Sequence, residues 1–223
     1  DIDYLHGYFP SLTKLDMSQA SIVAGGDSYH QWKVGSYGTA TKNTSYAYNT
    51  EYDVVGNYMF YNMPLLEKVV LPQGVTKVGS YAFNKCPRLA EIDPFPTTVT
   101  QIGAYAFNGC SALQSITLPE TLESIGAYAF NGCSALQSIT LPKTLESLGT
   151  HAFNGCSALQ SISIPGSLES IPSSAFSSCS ALSSVKLNDG LVNIGPYAFR
   201  QSGIESISPP GTLTKIETQA FSD

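Results

Sequence analysis

Apolar side chains recur along this chain at a fixed interval of about 23 residues. The interval is marked by eight phenylalanines, Phe60, Phe83, Phe107, Phe130, Phe153, Phe176, Phe199 and Phe221, whose successive spacings are 22 to 24 residues. Residues 104–126 and 127–149 differ at only two of 23 positions. The chain is therefore a tandem repeat array, in which each unit buries its apolar edges against its neighbours.

Within one unit the pattern predicts three short elements. The stretch 113–118 ends in strict apolar and polar alternation, which is typical of a strand with one buried face, and Pro119 ends it. The stretch 122–126 predicts a second short extended segment that closes at a glycine. The stretch 128–133 is too short for a long helix and predicts a single helical turn whose Phe and Cys point inward. Stacked units would pair their strands in parallel, about 4.8 Å apart.

The repeated pattern L-x-x-I-x-L-P … L-x-x-I-G-x-x-A-F-x-x-C closely resembles the BspA-like class of leucine-rich repeats. The resemblance runs continuously over residues 55–223. It implies a right-handed leucine-rich-repeat solenoid and a secreted or surface-attached protein of bacterial type. One position departs from ordinary leucine-rich repeats, because Thr121 and Thr144 stand where an Asn usually caps the turn after the strand.

The period also defines how the chain is organised. We expect a single solenoid domain over 1–223, made of a variant first repeat (1–23), a Tyr- and Gly-rich insertion (24–54) and BspA-like repeats (55–223), the last of them incomplete. Pro94 and Pro209 occupy a strand position that is Leu in other repeats. Because proline cannot donate to a ladder, a bulge is predicted in each of those two strands.

Composition narrows the possible partners. The net charge is −6 and only 13% of residues are charged, which argues against nucleic acid, since that partner requires clustered Lys and Arg. No apolar run approaches the ~18 residues of a spanning helix, so no membrane span is expected in this sequence. A monomer is expected.

Five cysteines, one per repeat, follow the Phe by three residues: Cys86, Cys110, Cys133, Cys156 and Cys179. Their Cβ vectors should point side by side into the core, and their number is odd, so buried free thiols are predicted instead of disulfides. The sequence has no C-x-x-C pair, and its three histidines are scattered. We therefore predict no metal site and no cofactor.

Catalysis requires unique residues in a unique geometry, which near-identical repeats do not provide. No catalytic residues are assigned, and a non-enzymatic protein is predicted. The glutamates that recur at Glu123, Glu146 and Glu169 are interpreted as a solvated stripe, because a Ca²⁺ site would need 6–8 oxygen ligands.

Two surfaces remain as candidate binding sites. The first is a ribbon of outward-pointing strand residues on the expected concave face: Ser115, Thr117, Ser138, Thr140, Ser161, Ser163, Ser184, Lys186, Ser206 and Ser208. The second consists of the aromatic residues of the insertion: Tyr29, Trp32, Tyr37, Tyr46, Tyr48 and Tyr52. These aromatics suit either contact with a ligand or a lid over the open apolar end of the array.

The resemblance and the regular array favour an extracellular or cell-surface adhesion module that binds a protein or host-matrix ligand through the concave face. Two alternatives stay open. One is a carbohydrate-binding surface protein that uses the aromatic insertion, and the other is a passive stalk that displays another domain.

Overall fold

The computed structural model describes residues 11–18, 32–34, 40–42, 54–92 and 94–223. Its main body is a parallel β-solenoid of about seven coils. Each regular coil contains a first strand, a second strand and then a segment of turns that leads into the next coil. This order confirms the predicted solenoid and its two short extended segments per repeat.

The first strands pair in parallel from coil to coil. They are β1 (Lys14–Asp16), β5 (Lys68–Val70), β7 (Glu91–Ile92), β9 (Ser115–Ile116), β11 (Ser138–Ile139), β13 (Ser161–Ile164) and β15 (Ser184–Leu187). Ladder bonds join β1, β5 and β7, then β9 with β11, and β13 with β15. The two remaining strands, β2 (Trp32–Val34) and β3 (Ala40–Lys42), pair antiparallel with each other.

The second strands form the longer ladders. They are β4 (Val54–Val55), β6 (Lys77–Val78), β8 (Gln101–Ile102), β10 (Ser124–Ile125), β12 (Ser147–Leu148), β14 (Ser170–Ile171), β16 (Asn193–Ile194) and β17 (Lys215–Ile216). The ladder is continuous from β4 to β12 and again from β14 to β17. It is interrupted where Pro172 replaces the glycine whose amide, in Gly126 and Gly149, donates to the preceding coil at 2.8 Å. Proline has no such amide.

The two prolines singled out in the sequence lie outside strands and therefore form no bulges within them. Strand β7 ends at Ile92, two residues before Pro94, and no strand forms over residues 204–208, just before Pro209. The predicted bulges are therefore wrong. Strand β9 likewise ends two residues before Leu118, the residue equivalent to Pro94, so the boundary before Pro94 is that of an ordinary coil.

The segment after the second strand is not helical, and no helix is present in the described ranges. Tyr105 and Gly109 have left-handed backbones, with φ of 58° and 75°. The amides of Tyr105, Phe107 and Gly109 donate to carbonyls of the next coil at 2.9, 2.7 and 2.8 Å. Every second amide is thus used between coils, so a helical i to i−4 bonding pattern cannot form.

The core consists of columns of identical side chains. The rings of the eight phenylalanines stack from coil to coil with centroids 4.8–5.4 Å apart. Seven of them are at most 1% exposed, whereas Phe221 is 36% exposed. Between the strands, Thr144 Oγ1 donates to the carbonyls of Glu120 (2.7 Å) and Leu122 (2.9 Å) of the preceding coil. Thr121 makes the equivalent pair of contacts, so threonine bridges coils at the position where Asn was expected.

Candidate functional site

The cysteine column is structural. All five thiols are free and buried, as predicted. Cys133 Sγ donates to the Phe107 carbonyl at 3.3 Å, and the other four thiols make the equivalent contact. Burial raises the pKa of Cys86 and of Cys179 to about 12. A buried thiol with a raised pKa is a poor nucleophile and a poor metal ligand.

The described residues offer no other obvious reaction centre. Within these ranges no group of three or more His, Cys, Asp or Glu side chains is placed to hold a metal ion. Glu123, Glu146 and Glu169 are all exposed on the second-strand side. No helix among the described residues is long and apolar enough to cross a membrane.

The predicted ribbon of hydroxyls forms one surface over four successive coils, which we call the first-strand face. Its members are Ser115, Thr117, Ser138, Thr140, Ser161, Ser163, Ser184 and Lys186, and all of them are exposed. Ser138 lies directly opposite Ser115, and Ser184 lies opposite Ser161. Ser206 and Ser208 are also exposed, but they follow a segment without ladder pairing and so do not extend the sheet.

In the N-terminal coils, positions equivalent to the first-strand face carry charged side chains instead of hydroxyls. There Lys14, Lys68 and Glu91 occupy one register column, and Lys68 forms an ion pair with Glu91. Asp16, next to this column, accepts the Ser18 amide at 2.9 Å, and that hydrogen bond, supported by Lys68, lowers the pKa of its carboxyl group. Sequence reasoning missed this charged end, although extending the strand register upstream from Ser115 would have found it.

A second surface feature is a column of aromatic rings on the turn segments. Tyr58, Tyr81, Tyr105, Tyr128 and His151 stack in sequence with centroids 4.4–4.7 Å apart and planes within 7° of parallel. We call these five residues the ring column. The rings are half-buried. His151 thus continues a tyrosine column, and its ring replaces a phenol ring without interrupting the stack.

The side chains of the aromatic insertion lie outside the description that the structure gives. Tyr29, Tyr37, Tyr46, Tyr48 and Tyr52 lie outside the described residues. Trp32 begins β2, where its backbone pairs with that of Lys42, but its side chain also lies outside the description. Whether these rings form a lid or a binding surface therefore stays a prediction.

Comparison with known proteins agrees with this architecture. The profile for the BspA type Leucine rich repeat region matches in six copies, over residues 53–119 and 100–223. No sequence match among curated proteins reaches significance.

Two solved structures show the same fold. One is the leucine-rich repeat protein TpLRR of T. pallidum, with 30% identity and a TM-score of 0.61 over 63% of this chain and 65% of that one. The other is a leucine-rich repeat protein from Bacteroides ovatus, with 29% identity and a TM-score of 0.57 over 78% of this chain and 51% of that one. The chain thus spans less than two thirds of either protein. The family profile covers most of this chain, and the fold matches that of the two solved structures. This chain therefore belongs to the BspA-type leucine-rich-repeat family.

Proposed function

We propose that this protein is a non-enzymatic binding module, secreted or held at the cell surface, that recognises a protein or host-matrix ligand through the first-strand face. The observation that carries the proposal is the exposed row Ser115, Ser138, Ser161 and Ser184, repeated in register on successive coils. Parallel stacking repeats the same side chain at a regular interval, which suits contact with an extended partner surface.

The chemistry of the face supports recognition and not catalysis. Apart from Lys186, its side chains are short hydroxyls, and Ser163 Oγ accepts a hydrogen bond from Asn188 Nδ2 at 3.2 Å. Short hydroxyls lose little rotamer entropy when they are covered, and because each can donate and accept, a polar partner can pair with them as it displaces water. The Lys68–Glu91 pair at one end would add charge selectivity and orientation.

The test is a screen of purified extracellular host proteins against the immobilised chain, followed by titration of the strongest ligand. The double substitution S138R/S161R places two long cations in the centre of the first-strand face and should weaken binding at least tenfold. The matched control is S147R, which changes an exposed serine on β12 of the second-strand side and should bind normally. Normal binding by the double variant, or equal loss in the control, would place the ligand elsewhere.

A further inference from the structure

The tyrosines of the ring column stack face to face on four successive coils. The rings of Tyr58 and Tyr81 have centroids 4.6 Å apart, and the next two pairs, Tyr81 with Tyr105 and Tyr105 with Tyr128, have centroids 4.7 Å apart. All three pairs have ring planes within 7° of parallel. Because these distances match the ~4.8 Å spacing of parallel strands, each ring is related to the next by little more than a shift along the stack. Equivalent carbon atoms of neighbouring rings therefore face each other.

The backbone fixes where these rings start, and the side chains keep some freedom. All four tyrosines have left-handed backbones with φ of 58–61°, and the amides of Tyr81 and Tyr105 each donate to a carbonyl of the next coil at 2.9 Å. The rings are half-buried, so each is partly in contact with solvent. The torsion that turns a tyrosine ring about its Cβ bond has broad minima. Two neighbouring rings can therefore tilt towards each other without movement of the backbone.

The phenol groups of the column are also close enough to interact. Burial raises the pKa of Tyr105, and the neighbouring phenols of Tyr128 and Tyr81 raise it further. Tyr105 is therefore a protonated phenol at neutral pH, with two other phenols within electrostatic range. Removal of one electron and one proton from a phenol gives a phenoxyl radical, whose unpaired electron is shared between the oxygen and the ortho and para carbons. In tyrosine only the ortho carbons are free to form a new bond.

The chain contains one tyrosine at the same column position that has no tyrosine beside it. Beyond His151, which stacks on Tyr128 at 4.4 Å, the column positions are Ser174, Tyr197 and Gln219, with φ of 56°, 57° and 54°. Tyr197 is half-buried like the tyrosines of the ring column, but its neighbours in the column are Ser174 and Gln219. It is therefore an internal control for any property that depends on the stack.

We propose that the ring column is a site of oxidative cross-linking, at which tyrosines of neighbouring coils join to form dityrosine. Two phenols each give one electron to the oxidant and one proton to solvent, and the two radicals form a C–C bond between carbons ortho to their hydroxyls. The hydrogens on these two carbons then move to the oxygens through water, so both phenols are restored. A haem peroxidase with hydrogen peroxide supplies the oxidation, because one peroxide takes up two electrons and two protons and gives two molecules of water.

Each link of this kind would join two coils covalently. Tyr105 and Tyr128 are 23 residues apart, and a cross-link that closes such a loop restricts the unfolded chain. The oxidised chain should therefore have a higher midpoint in chemical denaturation than the untreated chain. The ring column lies on the turn segments, apart from the first-strand face, so this inference does not depend on the proposed function.

The test treats the full chain, in dilute solution, with a haem peroxidase and one equivalent of hydrogen peroxide, and measures dityrosine fluorescence. The chain is then unfolded and digested with glutamyl endopeptidase, whose cleavage after Glu91 and Glu120 separates Tyr81, Tyr105 and Tyr128. Mass spectrometry identifies each link as two joined peptides that have lost two hydrogens. We expect links from Tyr81 to Tyr105 and from Tyr105 to Tyr128 within single chains.

Three variants sharpen the test. Y105F keeps a stacked ring but cannot form a phenoxyl radical there, so it should abolish both links made by position 105. The matched control Y197F should leave those links unchanged. S174Y places a second tyrosine beside Tyr197, at a residue whose φ is already that of a ring position. It should create a link between positions 174 and 197 that the unsubstituted chain does not form.

Three results would overturn the proposal. Dityrosine that forms only between separate chains would show that neighbouring rings of one column do not couple. Links from Tyr197 as frequent as those from Tyr105 would assign the coupling to exposure and not to the stack. Failure of S174Y to form the new link, with its fold verified by circular dichroism, would show that adjacent column positions are not sufficient.

Discussion

The coils that contain residues 104–155 and the coil that contains residues 172–179 pack the same core but differ outside it. Phe176 continues the ring stack at 5.3 Å from Phe153 and 5.4 Å from Phe199, and Cys179 donates to the Phe153 carbonyl at 3.2 Å. The outer positions all change together: Ser174, Ser177 and Ser178 replace aromatic, Asn and Gly residues, and Pro172 replaces the glycine of the second-strand ladder.

The inner columns (the stacked Phe and Cys side chains) and the outer columns (the ring column and the positions of Asn108 and Gly109) are therefore separate structural systems. The inner columns join each coil to the next by packing. Backbone amide hydrogen bonds between coils add to this, and neither depends on the outer side chains. The outer columns are therefore free to vary without loss of the fold. A break in them changes only the local surface, whereas a break in the inner columns would split the array.

The largest expected effect comes from the inner column. F130A and F176A each remove a ring that is fully buried, so each should lower the free energy of unfolding by roughly 3–5 kcal/mol. F221A, at a ring that is 36% exposed, should cost much less. Chemical denaturation measures all three. A cost for F176A that is clearly smaller than that for F130A would contradict the continuity of the core through the break.

A smaller effect is expected at the glycines that follow the second strands, where neighbouring coils lie in close contact. A Cβ at Gly126 would lie 2.5 Å from the Ala104 nitrogen and 2.7 Å from the Gly103 carbonyl carbon. Because these are backbone atoms that cannot rotate away, G126A should cost about 2 kcal/mol. G211A is the control, since nothing lies within 4 Å of its added methyl group, and its thermal unfolding should match that of the unsubstituted chain. Equal stability of the two variants would show that the ladder tolerates wider spacing.

Ionisation of a single thiol of the cysteine column should give a pH dependence that is somewhat smaller. Burial raises the pKa of the Cys133 thiol well above its ordinary value of 9.0, so the folded state keeps the proton when the unfolded state loses it. The stabilisation is complete below pH 9 and declines as pH rises towards the folded pKa. Between pH 8 and pH 10, C133A should lose about 1.4 kcal/mol less stability than the unsubstituted chain. Parallel pH curves for the two proteins would mean that this thiol is not shielded.

Much of the fold was predictable because the apolar residues recur at an almost constant interval. The phenylalanine spacing located every coil, and the alternation around Ile116 located the first strands. The turn segment was not predictable from the pattern, because Tyr105 adopts a left-handed backbone that its residue type does not favour. Only the bonds to the next coil stabilise that conformation, and such bonds are not visible in a single repeat.

The candidate sites were predictable to different degrees. The exposure of Ser138 and its equivalents followed from alternation alone. The charged end around Lys68 was missed because its repeats have diverged from the near-identical pair. The break in the ring column at Ser174 was missed because a serine in place of a tyrosine has a meaning only after the column is known to stack. Pro172 was overlooked because it replaces a glycine and not a strand Leu.

The inner columns cross the outer break without interruption, and amide hydrogen exchange tests this continuity most directly. The Phe107, Phe153 and Phe176 amides donate to the next coil at 2.7, 2.8 and 2.7 Å, on both sides of the break. They should exchange at rates within about tenfold of one another, because opening any of them requires the same core to unfold. Exchange of Phe153 and Phe176 hundreds of times faster than that of Phe107 would show that the array divides at the break, and the claim would be wrong.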